Sequence, residues 1–448
     1  MEDDSFIGFQ KYVKRVILKK GTKLAAHPGK ESQGNIMKDS GNPSYTQSEK
    51  QAYIRFETVS SIIFMFLMAA GTMIVGPLLQ DIIREFNLNN TQASLTSGIQ
   101  SVGAVAAIIA GGIGVRKIPK HLLIFAAGLL YAAGLLMIPL QSKFGLLLVA
   151  FAASGAGARL IDMIVNAYIS DLHPEDRTAS FGLIHCGYGI GALSSPILVW
   201  LLSRLSDNWK IHYILIGGVL LAVTIVWEIL TRVKHKSIYR TLYPAPKEES
   251  AGKAWSKVLR SPALLALAMA IFLVQNHLFG IITWSSSYIT EYMKGSAAAG
   301  AMVLSVFWLA ATISRLTVAR LGHRVPAWAL LTFGCLAAGI CCITGFTLKE
   351  APIWVIYAAV FFDGLFAGHA FPVVTAAACD LFPDNSGEVT TILFFMTAFG
   401  ITAAPLIMGR IADTSGLRPA MIFVSWLLPL ISLFSFLYYL ALKRQGGE

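Results

Sequence analysis

An aspartate inside a long apolar run is the first residue that asks for a chemical reason. Asp162 lies among Leu, Ile, Met and Val, with Arg159 three residues before it and Asn166 four residues after it. On a helix those intervals put all three side chains on one face. A charge at the centre of a membrane helix costs about 2.5–3.5 kcal/mol on insertion scales, so each one is a functional candidate by default. Asp162 can accept hydrogen bonds from the hydroxyls of a polyol or take up a proton itself. The bland reading is a static pair with Arg159 that lets both residues sit in apolar surroundings. A pair of that kind could be replaced by apolar residues at little loss, which favours the functional reading.

Two further sets carry weight. Asp363 and His369 occupy another apolar run, six residues apart and so not closely on one helix face. A buried His can relay protons near neutral pH, and a satisfied core histidine explains it equally well. Gln275, Asn276 and His277 interrupt a third run, followed by Trp284, Ser285, Ser286, Ser287 and Tyr288. Amides offer paired donors and acceptors to vicinal hydroxyls, and an aromatic face covers the apolar side of a sugar ring. The competing role is interhelical glue, worth about 0.6 kcal/mol per polar side chain. The chain has no nucleotide-binding glycine loop, no metal-spaced His pair and no hydrolytic triad. No enzyme activity and no cofactor are therefore expected, and the expected partner is a small molecule.

The elements that must position these residues follow from composition. The 448 residues are 55% hydrophobic and 14% charged, far from the roughly 25% charged residues of a soluble domain. Runs of the roughly 20 apolar residues that cross a bilayer fall at 57–80, 92–115, 121–141, 144–169, 178–204, 211–232, 262–289, 297–320, 325–347, 352–379, 388–412 and 418–442. The fold class is an all-α membrane protein of twelve transmembrane helices. An even number places both termini on one face. Most of the 36 Lys and Arg fall on that face, so the positive-inside rule makes the termini cytoplasmic and the membrane a plasma membrane. The net charge of +11 is thereby explained without nucleic acid.

Four segments result: a basic tail at 1–52, six spans over 53–232, a basic linker at 233–261 and six spans over 262–448. No cleavable signal peptide is expected ahead of the first span. Phe6, Phe9, Val13, Val16 and Ile17 fall on one helical face with Lys and Arg between them, a pattern suited to anionic headgroups; 21–51 reads as a disordered connector. Trp200, Trp209, Trp227 and Trp354 lie near span ends and read as interfacial anchors, and Glu228 as reaching the headgroup region. All five cysteines fall inside spans and read as small apolar packers.

The two sets of six spans are repeats. Asp171-Leu172-His173-Pro174 recurs as Asp380-Leu381-Phe382-Pro383, and at the same spacing Gly191 falls on Gly400 and Pro196 on Pro405. Lys117-Ile118-Pro119 matches Arg324-Val325-Pro326 with a small shift. Two six-helix halves joined by a basic linker resemble the major facilitator superfamily, over about residues 55–442. Gly111, Arg116 and Lys120, and in the second half Arg320, Gly322 and Arg324, fit that family's loop motif, while Val115 and Ala319 stand at its acidic positions. Asp162 and Asn166, with Leu172, Pro174, His185, Gly189, Gly191 and Pro196, resemble its fucose, galactose and glucose symporter branch, as do Ile99-Gln100-Ser101 and Phe371-Pro372. The acid which that branch places in the first span falls near Gly76 here.

The resemblance implies two pseudo-symmetric bundles rocking about a central cavity. Asp162, Asn166, His185, Gln100, Gln275, Asn276, Trp284 and His369 are expected to contact a substrate, with Asp162, Arg159 and Asp363 in coupling. It implies a monomeric secondary transporter of a monosaccharide, with a co-transported proton. An exporter of amphipathic metabolites and a sensor of the same fold that does not transport stay open as alternatives.

Overall fold

The computed structural model describes residues 46–88, 90–115, 117–206, 208–234, 258–322 and 324–445. The expectations for residues 1–45 and for 235–257 of the linker lie outside the described residues. Among the described residues are fourteen α-helices. In chain order they are α1 (Gln47–Met73), α2 (Val75–Phe86), α3 (Asn90–Gly114), α4 (Lys120–Met137), α5 (Phe144–Leu172), α6 (Arg177–Ser203) and α7 (Lys210–Lys234). The second half follows with α8 (Pro262–Ser287), α9 (Ala297–Leu321), α10 (Ala327–Thr347), α11 (Ile353–Ala367), α12 (Ala370–Leu381), α13 (Ser386–Ser415) and α14 (Leu417–Gln445).

These fourteen helices make twelve crossings, because two crossings are broken. Pro77 has no amide hydrogen for the Met73 carbonyl four residues back, and its ring crowds that carbonyl, so the first crossing splits at Ile74 into α1 and α2. Pro372 stands in the same relation to Gly368 and splits the tenth crossing into α11 and α12. The first crossing also starts ten residues before the expected Glu57, inside the segment read as tail. Thr46 caps the helix and Glu49 returns a bond to the Thr46 backbone, closing a capping box that satisfies two donors at the helix start. Eleven described helices are long and apolar enough to cross a membrane. The second crossing has only a shorter apolar stretch, Gly98–Gly114, because the first turns of α3 carry Asn90, Thr91, Gln92, Ser94, Thr96 and Ser97.

The glycines of α6 set the spacing between bundles. A side chain at Gly187 or Gly191 would strike the Ile62 or Phe66 carbonyl of α1, and one at Gly182 or Gly189 would strike Ala319 or Thr312 of α9. One face of α6 thus packs within the first bundle and the other against the second. That close approach carries α6 into contact with α9 across the bundle boundary.

On the face that holds the start of α1 and the end of α14, the repeated aspartates tie the bundles together. Arg177 Nη1 donates to Asp380 Oδ1 at 2.7 Å. Ser386 Oγ donates to Asp171 Oδ1 at 2.6 Å, and Lys120 Nζ reaches Asp171 Oδ2 at 2.5 Å and Ser386 Oγ at 2.7 Å. The spacing that relates Asp171 to Asp380 also relates Arg177 to Ser386. The two ties are therefore symmetry-related, with a serine and a borrowed Lys120 standing in for the second arginine. Val115, at the expected acidic position, instead packs on Gly387.

Candidate functional site

α5 delivers its polar trio as a hydrogen-bonded unit. Arg159 Nη1 donates to Asp162 Oδ2 at 3.0 Å, and Asn166 Nδ2 donates to Asp162 Oδ1 at 3.1 Å and to the Asp162 carbonyl at 2.7 Å. With its amide hydrogens committed to Asp162, Asn166 presents Oδ1 to His185 Nε2 of α6 at 3.1 Å. His185 is thereby assigned as the donor. Asp162, Asn166 and His185 are buried, whereas the Arg159 side chain keeps 21% of its surface exposed. Arg159 is thus the reachable end of the line, with its guanidinium 5.9 Å from the Phe394 ring of α13.

The line continues across the bundle boundary through a residue that the sequence reading passed over. Arg315, the only charge in the middle of α9, donates from Nη1 to the His185 carbonyl at 3.2 Å and from Nε to the Gly368 carbonyl at 3.0 Å. Gly368 lies at the break between α11 and α12, so Arg315 bridges α6 of the first bundle and the interrupted crossing of the second. The guanidinium sits 5.6 Å from the Trp308 ring and 5.9 Å from the Tyr188 ring, within cation–π range. Phe371 packs edge-on against His185 at 5.1 Å and against Phe394 at 5.8 Å. A charged line walled by aromatic rings, between two bundles, can bind a small polar solute and move a proton.

The other expected site residues divide. His369 accepts from Ser314 through Nδ1 (2.9 Å) and faces the Leu330 carbonyl through Nε2 (3.3 Å), so it holds the α11–α12 break in place beside Arg315. Gln275 and Asn276 lie on α8 against Gly400 of α13. Asn276 Nδ2 is committed to the Phe272 carbonyl at 2.8 Å, while Gln275 Oε1 is buried with no hydrogen-bond partner. Gln100 donates to Ser154 at 3.3 Å, about two turns before Asp162 on α5; it ties α3 to α5 away from the trio. Trp284 packs over Gly409, also away from it.

Asp363 is engaged elsewhere. Both its carboxylate oxygens lie near His277 Nε2, at 2.9 and 3.0 Å, and His277 Nδ1 lies 3.0 Å from the Val424 carbonyl. This buried pair binds α8, α11 and α14 together within the second bundle. Asp363, expected in coupling, is thus paired with His277 and not with His369, from which the six-residue interval already separates it. The His277 ring points to the outer helix α14, so Gln275, Asn276 and His277 are not one surface.

Several readings of residues near span ends are corrected. Trp227 is buried and donates to Glu57 Oε2 at 3.0 Å, with Thr231 Oγ1 3.4 Å from Oε1. Trp209 is buried and donates to Glu85 at 2.6 Å. Both are hydrogen-bond donors inside the fold, because each has an acid on a neighbouring crossing; Trp200 and Trp354 remain exposed. Glu228 is also buried, held by Arg232 at 2.5 Å. In the loop after α5, His173 Nε2 faces Thr58 Oγ1 at 2.7 Å, and burial pushes the imidazole down to about 4. A large apolar groove of about 1060 Å³ opens on the outer surface, lined by residues such as Ile109, Leu265 and Phe395. It includes none of the polar line.

Comparison with known proteins agrees with this fold. The family model described as Major Facilitator Superfamily matches residues 61–349. The D-galactonate transporter of Escherichia coli O6:H1 is 23% identical over 290 residues, which is 58% of this chain and 66% of that one. The sodium-dependent glucose transporter 1A of Mus musculus is 27% identical over 131 residues, so the match spans 29% of this chain and only 31% of that protein's length. Among solved structures, the transporter FucP in its outward conformation superposes with a TM-score of 0.70 at 19% identity, covering 85% of this chain and 98% of that one. The proton:xylose symporter XylE bound to 6-bromo-6-deoxy-D-glucose gives 0.68 at 14% identity, covering 86% and 96%.

Proposed function

Because this chain belongs to the Major Facilitator Superfamily, we propose that it carries a small polyhydroxylated solute of the sugar class by alternating access, coupled to a proton through Asp162. The observation that carries this reading is the polar line Arg159–Asp162–Asn166–His185, which reaches the bundle boundary and ends on Arg315. Asp162 accepts from two donors while ionised; protonation takes one acceptor lone pair away and loosens the line. Binding and bundle movement are linked by that loosening. Asp162, Asn166 and His185, with Gln275 on the opposite bundle, contact the solute. The unpartnered Gln275 Oε1 supports this, since a buried acceptor without a donor is costly and a hydroxyl would satisfy it.

The ties Arg177–Asp380 and Ser386–Asp171 close the face that holds both termini. The bias of Lys and Arg toward that face supports cytoplasmic termini in a plasma membrane. A second reading, export of an amphipathic metabolite, draws on the rings of Tyr188, Trp308, Phe371 and Phe394; competition by hydrophobic cations would single it out.

The test is reconstitution in liposomes with internal pH followed while monosaccharides and their polyol and acid derivatives are added. Proton entry evoked by at least one of them and lost in Asp162→Asn is the expected result. Exchange of labelled solute that is equal in both proteins removes Asp162 from coupling, and no exchange at all sinks the sugar class.

A further inference from the structure

From the charges left over between the bundles we infer that the solute is a monoanion, a polyhydroxylated carboxylate such as an aldonic acid and not the neutral sugar. The inference rests on the polar line being the solute site and concerns which member of the sugar class fits it.

Among the described residues, four carboxylates buried within the crossings are already engaged, and a fifth buried acid, Glu388 in the first turn of α13, has an interaction of its own. Asp162 takes Arg159, Asp363 takes His277, Glu228 takes Arg232, and Glu57 takes Trp227 and Thr231. Arg315 has no such partner. It is 5% exposed, its two hydrogen bonds go to neutral carbonyls, and its Nη2 donates to no described residue. A guanidinium carries five N–H donors and keeps its charge under all ordinary conditions. Arg159 and Arg315 against the single Asp162 leave one positive charge uncompensated at the bundle boundary.

An unpaired buried charge costs several kcal/mol, and a hydroxyl group does not cancel it. A carboxylate does, and the planar fork of an arginine matches a carboxylate with two parallel hydrogen bonds. The rings of Trp308 and Tyr188 flank the guanidinium and offer apolar faces to the carbon skeleton beside the carboxylate. Gly189 leaves room for this arrangement, because a side chain there would meet Thr312 Oγ1 at 2.5 Å and Arg315 Nη1 at 3.5 Å. A consequence follows for coupling. One monoanion moving with one proton on Asp162 transfers no net charge, whereas a neutral sugar moving with a proton transfers one.

The experiment compares labelled D-gluconate with D-glucose in proteoliposomes of the full chain under an inward proton gradient, with membrane potential clamped at two values. Gluconate is expected to half-saturate uptake at a concentration at least tenfold lower than glucose, at a rate that does not change with potential. Arg315→Gln is expected to remove that preference and Arg315→Lys to keep part of it. Equal uptake of the two solutes, or a preference for gluconate that survives in Arg315→Gln, overturns the inference. If Arg315→Gln does not fold, the wild-type measurement still decides, because gluconate uptake that varies with potential also overturns it. Glucose-evoked proton entry without gluconate preference sinks the anion and leaves the sugar carrier standing; if neither solute moves, both readings fall.

Discussion

The largest buried polar set of the first bundle and the His277–Asp363 pair of the second are disposed in opposite ways. In the first, Arg159, Asp162, Asn166 and His185 run toward the neighbouring bundle and end on its Arg315. In the second, His277 and Asp363 turn inward and fasten α8 to α11 and α14. Asp162 and its partners thus lie at the bundle boundary beside Arg315 of the second bundle, whereas His277 and Asp363 fasten helices inside the second bundle. A charge at a boundary can change partners as the bundles move; one in a core cannot without loosening the helices around it.

The sharpest way to break this contrast is to exchange the phenotypes. Asp162→Asn keeps the shape of the side chain and is expected to lower solute-evoked proton entry at least 100-fold, with little change in thermal stability. Asp363→Leu is expected to do the reverse. It leaves the His277 imidazole facing an apolar group, a loss of about 3–5 kcal/mol for removing one member of a buried pair. Thermal unfolding in detergent would show it, and adding His277→Leu should recover part of the loss; no recovery would mean that the pair is not the rigid element.

Next in size is the closure of the terminus face. Asp380 is half exposed, so its tie to Arg177 is worth about 1 kcal/mol. Arg177→Gln is then expected to shift the open fraction on that face roughly fivefold, as measured by spin-label distances between the ends of α5 and α12. Ser386→Arg, which rebuilds the symmetric partner of Arg177, is expected to move the same distances the other way. The last effect, confined to acid pH, belongs to His173. Thr58 donates to the Ile54 carbonyl, so His173 donates to Thr58 through Nε2, and burial keeps the ring neutral in the fold. Its imidazole is held at about 4, below the unfolded value near 6.5. Its contribution to stability is therefore complete above pH 6.5 and declines as pH falls from there toward 4. His173→Gln is expected to flatten that part of the stability profile.

Much of this architecture is legible in the sequence because hydrophobic runs and prolines act locally. The twelve crossings, the repeat anchored on Asp171 and Asp380, and the one-face trio of α5 need only spacing. What escaped was set by contacts between crossings. Trp227 near a helix end looks like an interfacial anchor until Glu57 appears beside it, and Asp363 cannot be matched to His277 without the tertiary fold that brings their side chains together. Arg315 is different, since a lone arginine in an apolar run is visible to the same rule that singled out Asp162. Its partners are backbone carbonyls of distant helices, which carry no side-chain signature.

The His277–Asp363 pair also fixes a proton stoichiometry. An imidazole with a carbonyl on one nitrogen and a carboxyl on the other needs a hydrogen in each gap. Imidazolium with carboxylate and imidazole with carboxylic acid both meet that need with the same number of hydrogens and the same zero net charge. Moving the shared hydrogen between them changes neither total. The pair thus neither gains nor gives up a proton while those contacts last, and a proton that crosses with the solute is counted elsewhere in the molecule.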